Sequence, residues 1–189
     1  LSQVDASIGG KNGVNLKGYK NMIGVFNQPE FVICDFNLLN TLSQEDYMTG
    51  FAEIIKHACI RNSSMFDYLE DHAEEALQMD QKVIHRLVRD SLVIKAGVVE
   101  RDERESGERR ILNFGHTYGH ALEKLTGISH GEAISVGMTV AARLSVKKGL
   151  LKERKAQKII DLLQLYGLPV QSQVNPDEVF EVMKKDKKR

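Results

Sequence analysis

Two histidines four residues apart, His116 and His120, stand in the run Asn113-Phe114-Gly115-His116-Thr117-Tyr118-Gly119-His120. In a helix that spacing puts both rings on one face, where they can share a metal ion. A zinc site needs at least a third protein ligand, and a catalytic one keeps a position open for water or substrate. Two residues could supply it: His130, ahead of Gly131-Glu132, and Glu53, set among Phe51, Ala52, Ile54 and Ile55. A carboxylate in such apolar company is expensive to bury unless it is paired or coordinated. Lys56 follows one turn later, so Glu53 and Lys56 also fit an ordinary helical ion pair. An HxxxH spacing also arises by chance. His57, His72 and His85 lie in charged helical surroundings and are given no role.

A second chemistry is suggested by Ile8-Gly9-Gly10-Lys11-Asn12-Gly13. Glycines let backbone N–H groups approach an anion and Lys11 adds charge, which fits a phosphate loop. No Ser or Thr follows Lys11, Asp5 occupies the place of the first glycine of a Walker A loop, and no GxGxxG is present. A plain glycine turn accounts for the segment equally well. Lys95, between Ile94 and Ala96, and Arg109, just before the histidine run, are further cations. A partly desolvated Lys95 calls for an anion, either substrate or a structural partner.

The elements that must position these groups fall into two parts. Residues 1–40 are glycine-rich and then carry Phe31-Val32-Ile33-Cys34-Asp35, which reads as a loop or hairpin followed by a strand. From Ser43 apolar residues recur at helical spacing, as in Val83, Ile84, Leu87, Val88, Leu92, Val93, Ala96 and Val99 after the N-cap Asp80. Helices are expected near 44–60, 64–77, 80–104, 114–126, 131–149, 152–166 and 176–186. The fold class is therefore mainly α, a helical bundle over 41–189 preceded by a short β/loop segment over 1–40. A two-stranded element is marginal alone, so residues 1–40 are expected to belong to a further domain. The opening on Leu1 and the charged end Lys184-Lys185-Asp186-Lys187-Lys188-Arg189 suggest an excised fragment.

Composition narrows the partners. With 189 residues and 42% hydrophobic content the chain can bury a core. Its 26 basic and 26 acidic residues cancel, so no net field draws it to nucleic acid or an anionic membrane, and a small-molecule partner is expected. Cys34 and Cys59 have no CxxC spacing, which argues against a disulfide framework or thiolate metal site and for a reducing, cytoplasmic setting. No apolar run approaches the roughly 20 residues of a membrane span.

Taken in order, Val4-Asp5-Ala6-Ser7-Ile8-Gly9-Gly10-Lys11, Gly18-Tyr19-Lys20-Asn21, Gly50-Phe51-Ala52-Glu53-Ile54-Ile55-Lys56, Leu112 to His120, and His130-Gly131-Glu132 resemble the 3-dehydroquinate synthase family. The resemblance runs from Leu1 to about Val146, and Asp186-Lys187-Lys188 is similar to a later lysine motif. It implies a missing nucleotide-binding α/β domain before Leu1. It also implies conversion of 3-deoxy-D-arabino-heptulosonate 7-phosphate to 3-dehydroquinate and phosphate in the shikimate pathway, with catalytic NAD and zinc or cobalt, in a homodimer when full-length. By the family's motifs Glu53, His116 and His130 would hold the metal and His120 would act as acid/base. Lys11, Asn21 and Asn113 would face the phosphate and nearby hydroxyls, with Lys187 or Lys188 as a further contact. Lys95 and Arg109 would meet the carboxylate, and Asp5 and Lys56 other hydroxyls. Lys11, Lys20, Leu38, Leu39, Asn40 and Thr41 would touch NAD from this side.

The chain departs from the family pattern at Leu42-Ser43-Gln44-Glu45-Asp46, where Leu-Pro-x-Arg-Glu is usual, and at Lys56-His57-Ala58, where Lys-Tyr-Gly is usual. Other readings are a related sugar phosphate cyclase of the 2-deoxy-scyllo-inosose or epi-valiolone synthase kind, a non-catalytic helical interaction domain, and a metal-dependent alcohol dehydrogenase. The last is disfavoured by the Gly-Gly-Lys loop and the substrate lysines.

Overall fold

The computed structural model describes residues 2–16 and 19–186, without the side chains of 15–16, 19–22 and 185–186. Gly18 and the terminal lysines Lys187 and Lys188 lie outside the described residues, as do the side chains of Lys20 and Asn21.

A helical turn at Ser2–Ala6 leads into a β-hairpin, β1 (Lys11–Leu16) and β2 (Tyr19–Phe26), paired antiparallel with Lys11 opposite Phe26 and Gly13 opposite Gly24. The hairpin is thus present, but the strand expected at Phe31–Asp35 is not. Among the described residues that stretch has no ladder partner, and Phe31 and Ile33 are exposed. Its apolar run reflects β-propensity, and propensity makes no strand without a neighbouring edge. A 3-10 turn, Phe36–Thr41, capped by the Asp35 side chain on Asn37 N, then leads to the helices.

These are α1 (Gln44–Arg61), α2 (Ser63–Asp71), α3 (Ala73–Leu77), α4 (Gln81–Arg101), α5 (His116–Thr126), α6 (His130–Lys147), α7 (Glu153–Leu165) and α8 (Pro176–Asp186). The helix expected over 64–77 is two helices, separated at His72, which takes non-helical dihedrals. The one expected over 80–104 ends at Arg101, because Asp102 turns its carboxylate to the following loop. A 3-10 turn, Glu108–Asn113, occupies part of the gap before α5. Asp80 caps α4 as its sequence position implies, accepting from the backbone of Lys82 and Val83.

The core lies around α1, whose residues 50–58 are all buried. Phe51 stacks on Tyr166 with ring centroids 4.5 Å apart and meets Tyr47 edge-on at 5.3 Å. Burying a side chain of that size contributes roughly 1.5–3 kcal/mol. A second, smaller apolar cluster joins α5, α6 and α8 through Ala121, Leu122, Val136 and Val179. Helix α6 therefore packs on α1 by one side and on α5 by another. A Cβ on Gly131 would lie 2.7 Å from Thr49 Cβ and closer still to the Thr49 carbonyl, so only glycine admits this approach of α6 to α1. That approach sets the distance between Glu53 and His130.

Candidate functional site

Glu53 sits mid-way along α1 with no exposed surface, and it faces the first residues of α5 and α6. Helix α5 begins at His116 because Gly115, at φ +82°, turns the chain there. Helix α6 begins at His130 because Ser129 and Glu132 form a reciprocal capping box in front of it. Glu53 Oε1 is 3.5 Å from His116 Nε2 and 3.4 Å from His130 Nε2. Ligands about 2.0–2.1 Å from a tetrahedral zinc ion stand roughly 3.4 Å apart, so these separations suit a shared ion. Neither Glu53 oxygen has a well-directed hydrogen bond. The carboxylate's partners are the two rings and the buried Lys56 ammonium on Oε2.

The imidazoles are oriented from behind. His116 Nδ1 lies 3.2 Å from the Phe114 carbonyl, and His130 Nδ1 lies 3.3 Å from Glu123 Oε2. With Nδ1 donating, each ring turns Nε2 toward Glu53, where it can serve as a metal ligand once unprotonated, the arrangement usual behind metal-bound histidines. Burial, reinforced by Lys56, lowers the His116 pKa to about 4, so the ring is neutral at pH 7, as a ligand must be. Burial also acts to lower that of His130, but the Glu53 and Glu123 carboxylates outweigh it and the net shift is upward. Glu53 itself is held well below the carboxylate range: burial opposes ionisation, yet Lys56, His130 and His116 win. Three N/O donors, with both histidines partly exposed, fit a catalytic metal, which keeps one position open. His120 is exposed, its ring centroid 5.2 Å from that of His116 and 5.8 Å from that of His130.

Behind Glu53 lies a second cluster. Lys95 donates to Asp5 at 2.8 Å and also to its backbone carbonyl, while Lys56 stands 3.9 Å from the same carboxylate. Asp5 stays below its ordinary pKa because Lys56 and Lys95 outweigh burial and the nearby Glu53. In this structure the anion beside Lys95 is Asp5, which takes two of its three N–H donors. His57, assigned to charged helical surroundings by sequence, is instead fully buried, its Nε2 3.9 Å from Asp5 Oδ1. Burial, with Lys56, lowers its pKa to about 4. His72 and His85 are ring-stacking surface residues, on Tyr68 and Phe36 respectively.

The third group borders a cavity of about 640 Å³ lined by Arg104, Glu105, Arg110, Asn113 and Thr117. Arg109 is buried beside it and clamps the glycine segment, donating to the carbonyls of Gly9 (2.7 Å) and Glu103. Gly9 lies at φ +107°, and a Cβ there would collide with the guanidinium. In this structure, then, that glycine seats Arg109. Lys11 pairs with Glu105, which also accepts from Asn113 Nδ2 at 2.6 Å. Leu38, Leu39, Asn40 and Thr41 stand apart from these groups in the 3-10 turn, where Leu39 and Asn40 help to line a separate cavity of about 240 Å³ with Phe36, Tyr47 and His85. The backbone of Lys20 and Asn21 is in β2. Sequence reasoning passed over Glu105, Glu123 and His57. The partners of all three follow only from the fold, Glu123 meeting His130 across α5 and α6.

The 3-dehydroquinate synthase C-terminal family matches residues 50–189, and its N-terminal counterpart matches residues 1–49. The chain belongs to the 3-dehydroquinate synthase family. It is 45% identical to the 3-dehydroquinate synthase of Halorhodospira halophila and 42% identical to that of Dictyoglomus turgidum, in each case over 100% of this chain and 54% of the relative. It thus spans about half the length of these curated relatives. Among solved structures, a 2-epi-5-epi-valiolone synthase from Streptomyces hygroscopicus with NAD+ and Zn2+ bound superposes with a TM-score of 0.89 at 28% identity. That match covers 97% of this chain and 52% of the other. A 2-deoxy-scyllo-inosose synthase complexed with carbaglucose-6-phosphate, NAD+ and Co2+ gives 0.86 at 30% identity, over 99% and 52%. Among the described residues no helix is long and apolar enough to cross a membrane.

Proposed function

We propose that this chain is the metal- and substrate-binding portion of a 3-dehydroquinate synthase, acting in the cytoplasm within a larger homodimeric enzyme of the shikimate pathway. Residues 1–40 are the end of its nucleotide-binding half and 41–189 the helical half. The observation that carries the reading is the convergence of Glu53, His116 and His130, Oε1 standing 3.4–3.5 Å from both imidazole nitrogens. Identity of 45% to a curated synthase, against 28–30% to cyclases of other substrates, favours the carboxylate-bearing substrate.

A divalent ion on those three residues would supply Lewis acidity toward substrate oxygens, and NAD would take up and return a hydride. The chain's own groups do the rest. His120, at the rim beside His116 and His130, accepts a hydroxyl proton at a ring nitrogen. Lys56 and Asp5 meet substrate hydroxyls, and Lys95 takes the carboxylate end together with those N–H donors of Arg109 that Gly9 and Glu103 leave over. Lys11, Asn21 and Asn113 face the phosphate, with Lys187 or Lys188 as a further contact. Lys11, Lys20 and the segment Leu38, Leu39, Asn40 and Thr41 present the near side of the NAD site. Several cations around one anionic substrate restrict its orientation and offset charge that develops as phosphate departs.

The test is turnover by the full-length protein containing this chain. Phosphate should be released from 3-deoxy-D-arabino-heptulosonate 7-phosphate with NAD and zinc or cobalt present. Release only from a sugar phosphate lacking the carboxylate would move the chain to another cyclase. No bound metal and no turnover would leave a helical interaction domain.

A further inference from the structure

Glu105 occupies an odd position. It is not a glycine yet its φ is +59°, a region that disfavours side chains other than those of Asn, Asp and Gly. The surrounding loop is held by Asp102, whose carboxylate accepts from Ser106 N, Ser106 Oγ, Gly107 N and Arg109 N at 2.7–3.0 Å. That fence fixes the backbone and aims the Glu105 side chain into the gap between Lys11 and Asn113. One oxygen meets the Lys11 ammonium and the other accepts from Asn113 Nδ2 at 2.6 Å. The carboxylate is therefore bound much as two oxygens of a phosphate would be, at the edge of a cavity also lined by Arg104 and Arg110.

We propose that Glu105 is an internal anion that holds the Lys11–Asn113 pair in its binding geometry and must be exchanged for the substrate's phosphate. The inference rests on the reading that Lys11 and Asn113 face that phosphate. Its consequence is a positioning residue that also weakens the site for phosphate: the two donors are pre-arranged, but an entering anion competes with a carboxylate already there. Because the Asp102 bonds lie elsewhere in the loop, exchange needs only rotation of the Glu105 side chain. Such competition favours an anion tethered to the rest of a substrate over free inorganic phosphate, which is a reaction product and must leave.

The experiment is titration calorimetry of the full-length protein containing this chain with inorganic phosphate. Glu105→Gln keeps an amide oxygen for Asn113 and removes the charge, and should bind phosphate about tenfold more tightly, the scale of one charged hydrogen bond. Glu105→Gly, which also relieves the positive φ, should do the same while raising the thermal midpoint. Glu103→Gln removes one charge from the same loop without touching Lys11 or Asn113, since its carboxylate bonds Gln28, and should leave phosphate affinity unchanged. Binding by Glu105→Gln and Glu105→Gly no tighter than wild type, or a gain matched by Glu103→Gln, would overturn the exchange. Lys11→Met in the Glu105→Gln background separates the premise from the inference. If it abolishes the binding, the phosphate role of Lys11 stands whatever the other variants do. If it changes nothing, that role fails and the exchange with it.

Discussion

Glu53, His116 and His130 come from three helices packed on one another, whereas Lys11, Glu105 and Asn113 come from a strand end, a loop and a 3-10 turn. The first group is held by apolar burial, as around Phe51, Ile55 and Ile134. The second is held by hydrogen bonds, Asp102 to its loop and Arg109 to Gly9. A metal needs donors set to a few tenths of an ångström, which a close-packed core supplies. A substrate that enters and leaves needs donors that can change partners, which loops supply. The two sides should therefore respond differently to damage.

The largest effects are expected on the helical side. On the proposed assignment, replacing His116 or His130 by Ala removes one of three ligands, and zinc affinity should fall by more than the roughly 10²-fold upper range seen for outer partners. Elemental analysis after dialysis measures it, and retention of full metal would break the assignment. Glu53→Gln should in addition destabilise the metal-free protein by about 3 kcal/mol in denaturant titration, since Lys56 is left buried with only the more distant Asp5.

His120→Ala sharpens the comparison within one helix. Metal should stay, while turnover of the full-length enzyme slows by about 10²–10⁴-fold. If the metal is lost as thoroughly as in His116→Ala, the HxxxH pair is the ligand set after all.

Gly131→Ala tests whether packing sets the site from a distance. The added methyl meets Thr49, and the shift of α6 should cost about 1–3 kcal/mol and weaken metal binding, although no ligand is altered. An unchanged metal affinity would show that the separation of α1 and α6 does not set the geometry.

The smallest effect concerns acid and the loop side. The backbone N–H groups of Arg109, Gly107 and Ser106, with the Ser106 hydroxyl, hold the Asp102 carboxyl below the usual carboxylate range. A folded pKa that is depressed adds stability which is fully present above the unfolded value of about 3.9 and is lost as pH falls through the folded value. Amide exchange at Ser106, Gly107 and Arg109 should therefore quicken relative to α4 once the pH drops below about 4. Equal quickening in α4 would mean that the loop has no independent hold.

Sequence reasoning reached different depths in the two regions. The helices were legible because periodic apolar residues and caps such as Asp80 act locally, through bonds within three or four residues. The missing strand at 31–35, the break at His72 and the buried state of His57 were not, because each depends on residues distant in the chain. The histidine run was visible as chemistry, but spacing alone could not separate His116 from His120. The family resemblance favours His116, and the turn at Gly115 with the position of α1 brings its Nε2 to 3.5 Å from Glu53 Oε1.

By itself, then, the sequence determined that the chain is a helical protein of the 3-dehydroquinate synthase family, with Glu53, His116, His130 and a set of lysines available for metal and anion chemistry. Residue types, helical periods and ordered motifs suffice for that, since each is a property of neighbours along the chain. Which carboxylate stands against which cation was decided by tertiary structure: Glu53 on Lys56 and the two imidazoles, Asp5 on Lys95, Glu105 on Lys11. Of these pairs only Glu53 and Lys56 lie within one helical turn. The others join residues far apart in sequence, and it is the packing of α6 on α1 and of the glycine segment on Arg109 that brings them together.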